Sequence, residues 1–204
     1  MKPIMFNTYL IQGILQGRKI QTRRVIKDVS PIVTIIDRYN KICNWTMWNE
    51  RRIVKTIKPR YEEKDILWVR ETWQDFHNVG DCGIGCEYGC THGNYAYKAT
   101  GNFDNEIKWK SSRFIPKEAA RIFLEVTDII VERLWDISEE DVMAEGIEMN
   151  NIPHEGWYWM ENVYSTDSAL LAYERLWDKI NGKKYPWESN PWVWAITFKR
   201  IEKP

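Results

Sequence analysis

The chain predicts an α+β fold, a small twisted barrel of short strands flanked by two or three helices. Three observations carry this. The stretch from Asp65 to Trp73 opens as a continuous apolar run, as a strand covered on both faces does, then turns polar at Arg70 and Glu71. Residues Ile122 to Val131 alternate, with Ile122, Leu124 and Val126 to one side and Phe123, Glu125 and Thr127 to the other, the period of a half-buried strand. The helical signals are few and short, and they lie far apart in the chain.

The first helix is expected from about Thr8 to Gln16, with Asn7 as N-cap and Gly17 at its end. A basic turn follows, and a strand is expected to begin at Val25 and Ile26. Pro31 to Ile57 reads as two or three strands, with a turn at Asp37 to Asn40. Lys58-Pro59-Arg60 breaks them before the Asp65 strand. Gln74 to Gly93 is loop-like, and Tyr95 to Ala99 is a short strand. Ser138 with Asp141 three residues on approximates a capping box, and Gly146 is a natural stop, so this is a helix of about two turns. Met149 to Tyr164, rich in tryptophan and tyrosine, reads as a loop insertion whose rings cover a groove or pack on the core. A last helix, about Asp167 to Ile180, places Leu170, Tyr173, Trp177 and Ile180 on one face. Trp192 to Phe198 is a closing strand.

At 204 residues the chain fits one domain, with insertions at about 28–60, 74–120 and 148–166. Lys+Arg and Asp+Glu balance at 29 each, so a general nucleic-acid sponge is disfavoured and any anion site must be local. The 12 tryptophans are far above usual, and most should be core or groove wall. No signal peptide or membrane-length apolar run is legible, so a cytoplasmic protein with reduced thiols and no membrane partner is expected.

The nine residues Gln16 to Arg24 hold Arg18, Lys19, Arg23 and Arg24. A turn there can present the Lys19 amine and the Thr22 hydroxyl on one side, ringed by arginines, which suits an anionic or polar ligand. A solvated basic loop is the plainer reading. Arg70 and Glu71, where the apolar strand emerges, are either delivered to a site or form a structural ion pair. Glu145 falls in the last turn of its helix. There it faces the negative end of the helix dipole, mildly destabilising by roughly 0.3–1 kcal/mol and suited to proton transfer. The alternative is an exposed glutamate screened by water. Cys82, Cys86, Cys90 and His92 lie within eleven residues laced with glycine. Such a set suits structural zinc, with His77 or Cys43 as substitute ligands; free thiols or a disulfide are the other readings.

Three motifs give the chain a resemblance to the ASCH family, which has a PUA-like β-barrel. They are Gly17-Arg18-Lys19 with Thr22 and Arg24; Asp65 followed by Leu67-Trp68-Val69-Arg70-Glu71, with Lys64 where the family usually has glycine; and the run from Val126 through Ile137-Ser138-Glu139-Glu140 to Ala144-Glu145-Gly146-Ile147. The ending Asn190-Pro191-Trp192-Val193-Trp194 with Phe198 resembles the larger versions common in bacteriophage and prophage genomes. The resemblance implies a cleft for RNA or a modified nucleoside. It also implies an amidohydrolase like the small bacterial member that deacetylates N4-acetylcytidine, with Lys19, Thr22 and Glu145 as its catalytic set. Arg18, Arg23, Arg24, Arg70, Glu71 and Trp73 would then line the substrate pocket. This chemistry needs no cofactor, so a zinc ion would be structural only. It is coherent in itself: Thr22 attacks the acetyl carbonyl, Lys19 takes its proton or holds the oxyanion, and Glu145 protonates the departing amine. The rival classes are a non-catalytic RNA-binding module, a ribonuclease, and a structural phage protein whose tryptophans form an interface.

Overall fold

The computed structural model describes residues 1–27, 34–36, 45–49, 52–75, 95–101, 107–152, 155–160, 163–166 and 168–204. Its centre is a five-stranded mixed sheet. The strands are β1 (Lys2–Met5), β2 (Gln21–Val25), β6 (Ile66–Arg70), β9 (Phe123–Arg133) and β13 (Trp192–Ile201), in the order β1-β6-β9-β13-β2. β1 runs parallel to β6; the other pairings are antiparallel. Among the described residues the sheet does not close into a barrel, and β1 and β2 are its outer strands.

The described residues also form three smaller sheets. β3 (Thr34–Ile36), β4 (Trp45–Asn49) and β5 (Arg52–Ile57) form one antiparallel sheet. β7 (Trp73–Asp75) pairs with β8 (Tyr95–Tyr97). β10 (Glu148–Ile152), β11 (Glu155–Met160) and β12 (Val163–Thr166) form a third sheet, where the sequence reading expected a loop. Aromatic residues favour extended backbone, and here the backbone pairs with sequence neighbours in antiparallel register.

The continuous apolar run of β6 has a direct cause. Leu67 and Val69 enter the main core, whereas Trp68 enters a second cluster with Trp73, Tyr97 and Phe123 on the other face. Burying Leu67 and Val69 contributes about 1.5–3 kcal/mol each. The same two-sided cover corrects the reading of β9: Leu124 and Val126 pack inward as expected, but Phe123 on the opposite face is also buried.

α1 (Thr8–Leu15) starts as expected, with the Asn7 side chain accepting from the Leu10 amide. α2 (Glu139–Ala144) has the capping box, Ser138 accepting from the Asp141 amide. α3 (Ala169–Asn181) buries Ala169, Ala172, Tyr173, Leu176 and Trp177. That stripe differs from the expected one: Tyr173 and Trp177 belong to it, whereas Leu170 and Ile180 are exposed. The buried positions recur at i, i+3, i+4, i+7 and i+8 from Ala169, one helical face, and Leu170 lies off it. β2 also begins at Gln21, four residues before the expected start, because its polar residues are held in register by β13 rather than by an apolar pattern of their own.

Candidate functional site

The basic turn is built by the end of α1. Gly17 takes a left-handed φ of 77°, and the amides of Arg18 and Lys19 both donate to the Gly13 carbonyl. The Ile20 amide donates to Ala144 O at 2.9 Å, tying the turn to the end of α2, and the Phe198 amide donates to Ile20 O at 2.8 Å, tying it to β13. Lys19 is thereby drawn into the interior, 1% exposed. Its stem runs over Gly146 (φ 99°), where an added Cβ would stand 3.2 Å from Lys19 Cβ. A side chain at 146 would press on the lysine and strain the backbone as well.

Lys19 Nζ donates three hydrogen bonds: to Gln21 O at 2.7 Å, Glu145 O at 2.9 Å and Glu145 Oε2 at 2.6 Å. The cation thus sits at the carbonyl end of α2, a favourable placement. Glu145 is the C-cap of α2 and is buried, contrary to the screened-glutamate alternative. Its other oxygen accepts from the Arg23 amide at 2.6 Å and from Tyr173 Oη at 3.3 Å. Burial pulls the Lys19 amine below its ordinary range; Glu145 opposes this, and Arg24 and Arg23 add to the lowering. Burial, with the carboxylate alongside, pushes the Tyr173 phenol well above its ordinary range.

The Arg23 side chain is fully buried and committed to protein partners. It donates to Glu132 at 2.7 Å, Asp141 at 3.0 Å and Gln21 Oε1 at 2.6 Å. Burial disfavours its charge, but Glu145, Glu132 and Asp141 outweigh that and raise its pKa. Arg24 points elsewhere, donating to Met5 O at 2.8 Å with its guanidinium 5.2 Å from the centre of the Phe6 ring.

Beside this network lies a cavity of about 670 Å³, within the range of small-molecule sites. Thr22, Arg23, Arg24 and Glu145 line it, with Phe6 from the α1 side and Tyr173 from α3. Thr22 is 4% exposed; the buried polar side-chain atoms without a partner among the described residues are Arg70 Nε and Trp73 Nε1. Lys19 stands behind the wall and reaches the cavity through Glu145.

The remaining predicted residues lie outside this lining. Arg18 pairs with Glu148 and donates to Gly146 O at 3.0 Å. Glu71 is buried and held by both arms of Arg121 at 2.9 and 2.8 Å, so its ion pair is with Arg121 rather than with Arg70. The Arg70 guanidinium lies 4.8 Å from the centre of the Trp68 ring. Trp73 is buried in the second cluster, with Lys110 Nζ 4.9 Å from its ring centre. The Cys82, Cys86, Cys90 and His92 set, with His77 and Cys43, lies outside the described residues. Among the described residues no group of three or more His, Cys, Asp or Glu is placed to hold a metal ion.

Sequence reasoning missed Phe6, Thr72, Lys27, Ser112 and Arg113 in the lining. Phe6 and Thr72 directly neighbour residues singled out in the sequence. Ser112 and Arg113 come from a turn with no pattern to mark it. Among the described residues no helix is long and apolar enough to cross a membrane. The chain matches no family model, no curated protein and no solved structure.

Proposed function

We propose that this cavity binds RNA or a modified nucleoside and hydrolyses the amide of an N4-acylated cytidine, on a fold of the PUA-like ASCH type. The observation that carries the reading is the buried Lys19–Glu145 pair, with Glu145 on the wall of a cavity that Thr22 also lines. The three residues come from two of the motifs whose sequence resembles that family.

The proton balance runs through the 2.6 Å bond. Transfer from Lys19 Nζ to Glu145 Oε2 leaves a neutral amine and a carboxylic acid. The lowered Lys19 pKa makes that neutral amine accessible. As the Thr22 hydroxyl oxygen attacks the acyl carbon, its proton passes to the Glu145 carboxyl group, which hands its own proton on to the amine, so that Glu145 stays protonated and Lys19 is again an ammonium. Glu145 then protonates the leaving cytosine nitrogen as the C–N bond breaks, and Thr22 is left as an acyl ester. Water repeats the cycle: its proton goes through Glu145 to the amine, its oxygen attacks the ester, and Glu145 returns a proton to Thr22. Carboxylic acid and cytidine leave, and the ion pair is restored.

A second reading is supported by the same geometry. Every Lys19 proton already has an acceptor, and Glu145 accepts from Lys19, Arg23 and Tyr173. A pair so fully satisfied also suits a rigid floor in a binding-only module. Incubation with N4-acetylcytidine, followed by chromatography, separates the two. Cytidine is expected from the wild type, with loss of at least about a hundredfold in rate for Thr22→Ala and Lys19→Ala. Binding without any cytidine at high protein concentration would leave only the module.

A further inference from the structure

The cavity has an uneven charge that the proposed amide chemistry does not use. Arg23, Arg24, Lys27 and Arg113 line it against one carboxylate, Glu145, in a chain whose net charge is zero. Arg23 is neutralised by Glu132 and Asp141, and Glu145 by Lys19. Arg24, Lys27 and Arg113 are left over, and among the described residues none of the three has a carboxylate within ion-pair distance. Among the described residues some cations elsewhere are matched, as Lys2 is with Asp65, Arg121 with Glu71 and Lys199 with Glu125, and others such as Lys98 and Lys117 are not; what sets the three apart is that they line one cavity together. The Thr72 and Ser112 hydroxyls line the same cavity.

The sources of the lining differ in character. α1 and α3 supply apolar surface from Leu10, Leu176 and Trp177. β2, the residues just after it and the turn at Ser112–Phe114 supply the uncompensated cations. Unpaired positive charge in a concave, partly apolar site focuses the field on an anion, and neighbouring hydroxyls add hydrogen-bond donors. A neutral nucleoside would leave that charge unanswered.

We infer that the ligand carries a phosphate next to its base, held by Lys27, Arg113 and Arg24 with the Thr72 and Ser112 hydroxyls. This rests on the nucleoside reading above and narrows it to a phosphorylated nucleotide. The phosphate belongs either to a mononucleotide or to a strand.

Calorimetric titration of the full chain with N4-acetylcytidine, its 5′- and 3′-monophosphates, the monophosphates of adenosine, and a short single-stranded RNA containing the acetylated base tests it. At least one monophosphate should bind about tenfold more tightly than the nucleoside, the worth of one charge-assisted contact. The double variant Lys27→Gln/Arg113→Gln should bring that ratio close to one. RNA binding more tightly than either monophosphate, with affinity falling steeply in salt, assigns the phosphate to a strand; equal affinity assigns it to a mononucleotide. Either result supports the subsite. A nucleoside that binds as well as its phosphates overturns the inference and leaves the nucleoside reading standing. Monophosphates that bind equally well whatever their base sink the nucleoside reading and keep the phosphate subsite. No binding of any ligand sinks both.

Discussion

At the scale of the residue, Lys19 and Glu145 dominate. Each is charged and enclosed, and each is tolerable only because the other is present. Removing one partner of a buried pair leaves a stranded charge, which costs about 3–5 kcal/mol. Lys19→Met should therefore lower the unfolding free energy by that amount in urea denaturation. Lys19→Met/Glu145→Leu should recover much of the loss, because the stranded carboxylate goes with its partner. If the double variant is as unstable as the sum of the singles, the pair is not energetically coupled as the 2.6 Å contact implies. Glu71 makes a contrasting case: two neighbouring motif residues, Arg70 and Glu71, look like one pair in sequence. Arg121, fifty positions on, is the true partner.

At the scale of the element, the turn entering β6 is informative. Lys64, at the position where the resembling family has glycine, adopts φ 68°. The left-handed backbone is kept although the residue is not suited to it. Its amide donates to Val126 O at 2.8 Å, and Asp65 accepts from the Glu62 amide, so pairing around the turn holds the geometry against its local preference. Lys64→Gly removes the steric penalty while keeping those bonds. A gain of about 1 kcal/mol is expected, read as a raised melting temperature. A lowered melting temperature would mean that the lysine side chain contributes more than its backbone loses. α2 shows the opposite agreement of local and global preference: Ser138 caps its start, Gly146 ends it at φ 99°, and the helix needs only six residues to deliver Glu145.

At the scale of the whole molecule, the sheet buries three phenols that resist ionisation. Burial holds the pKa of Tyr61 above its ordinary value, that of Tyr173 well above it, and pushes Tyr97 up to about 12. Between pH 10 and 12 the unfolded chain releases these protons while the folded chain keeps them. The folded state then binds more protons, so stability falls as pH rises, by up to about 1.4 kcal/mol per unit for each tyrosine. Lys19 acts in the opposite sense, because its folded pKa lies below the ordinary 10.5, but its opposing slope fades above that pH as the unfolded amine also loses its proton. Denaturant midpoints at pH 9, 10.5 and 11.5 should therefore drop most steeply over the last interval, alongside a late rise in phenolate absorbance. A flat profile above pH 10.5 would contradict the burial of these hydroxyls.

Much of the molecule was legible one-dimensionally, because local rules wrote it. The caps of α1 and α2, the apolar strand β6 and the alternation of β9 all follow from short-range spacing, whereas grouping Lys19, Thr22 and Glu145 was an expectation from the family resemblance. The α+β class follows from their order. Other features depended on distant partners and so left no local mark. β2 is a strand because β13 lies beside it, the buried face of α3 runs through its alanines rather than Leu170, and Phe123 is buried because the sheet has a core on both faces. Only tertiary structure decided that Lys19 is fully enclosed and Arg24 half-buried. A run of adjacent cations looks uniform in sequence, but backbone bonds from the turn to α2 and β13 draw Lys19 inward, whereas Arg24 reaches Met5 O and lies against Phe6, and both outcomes depend on distant segments.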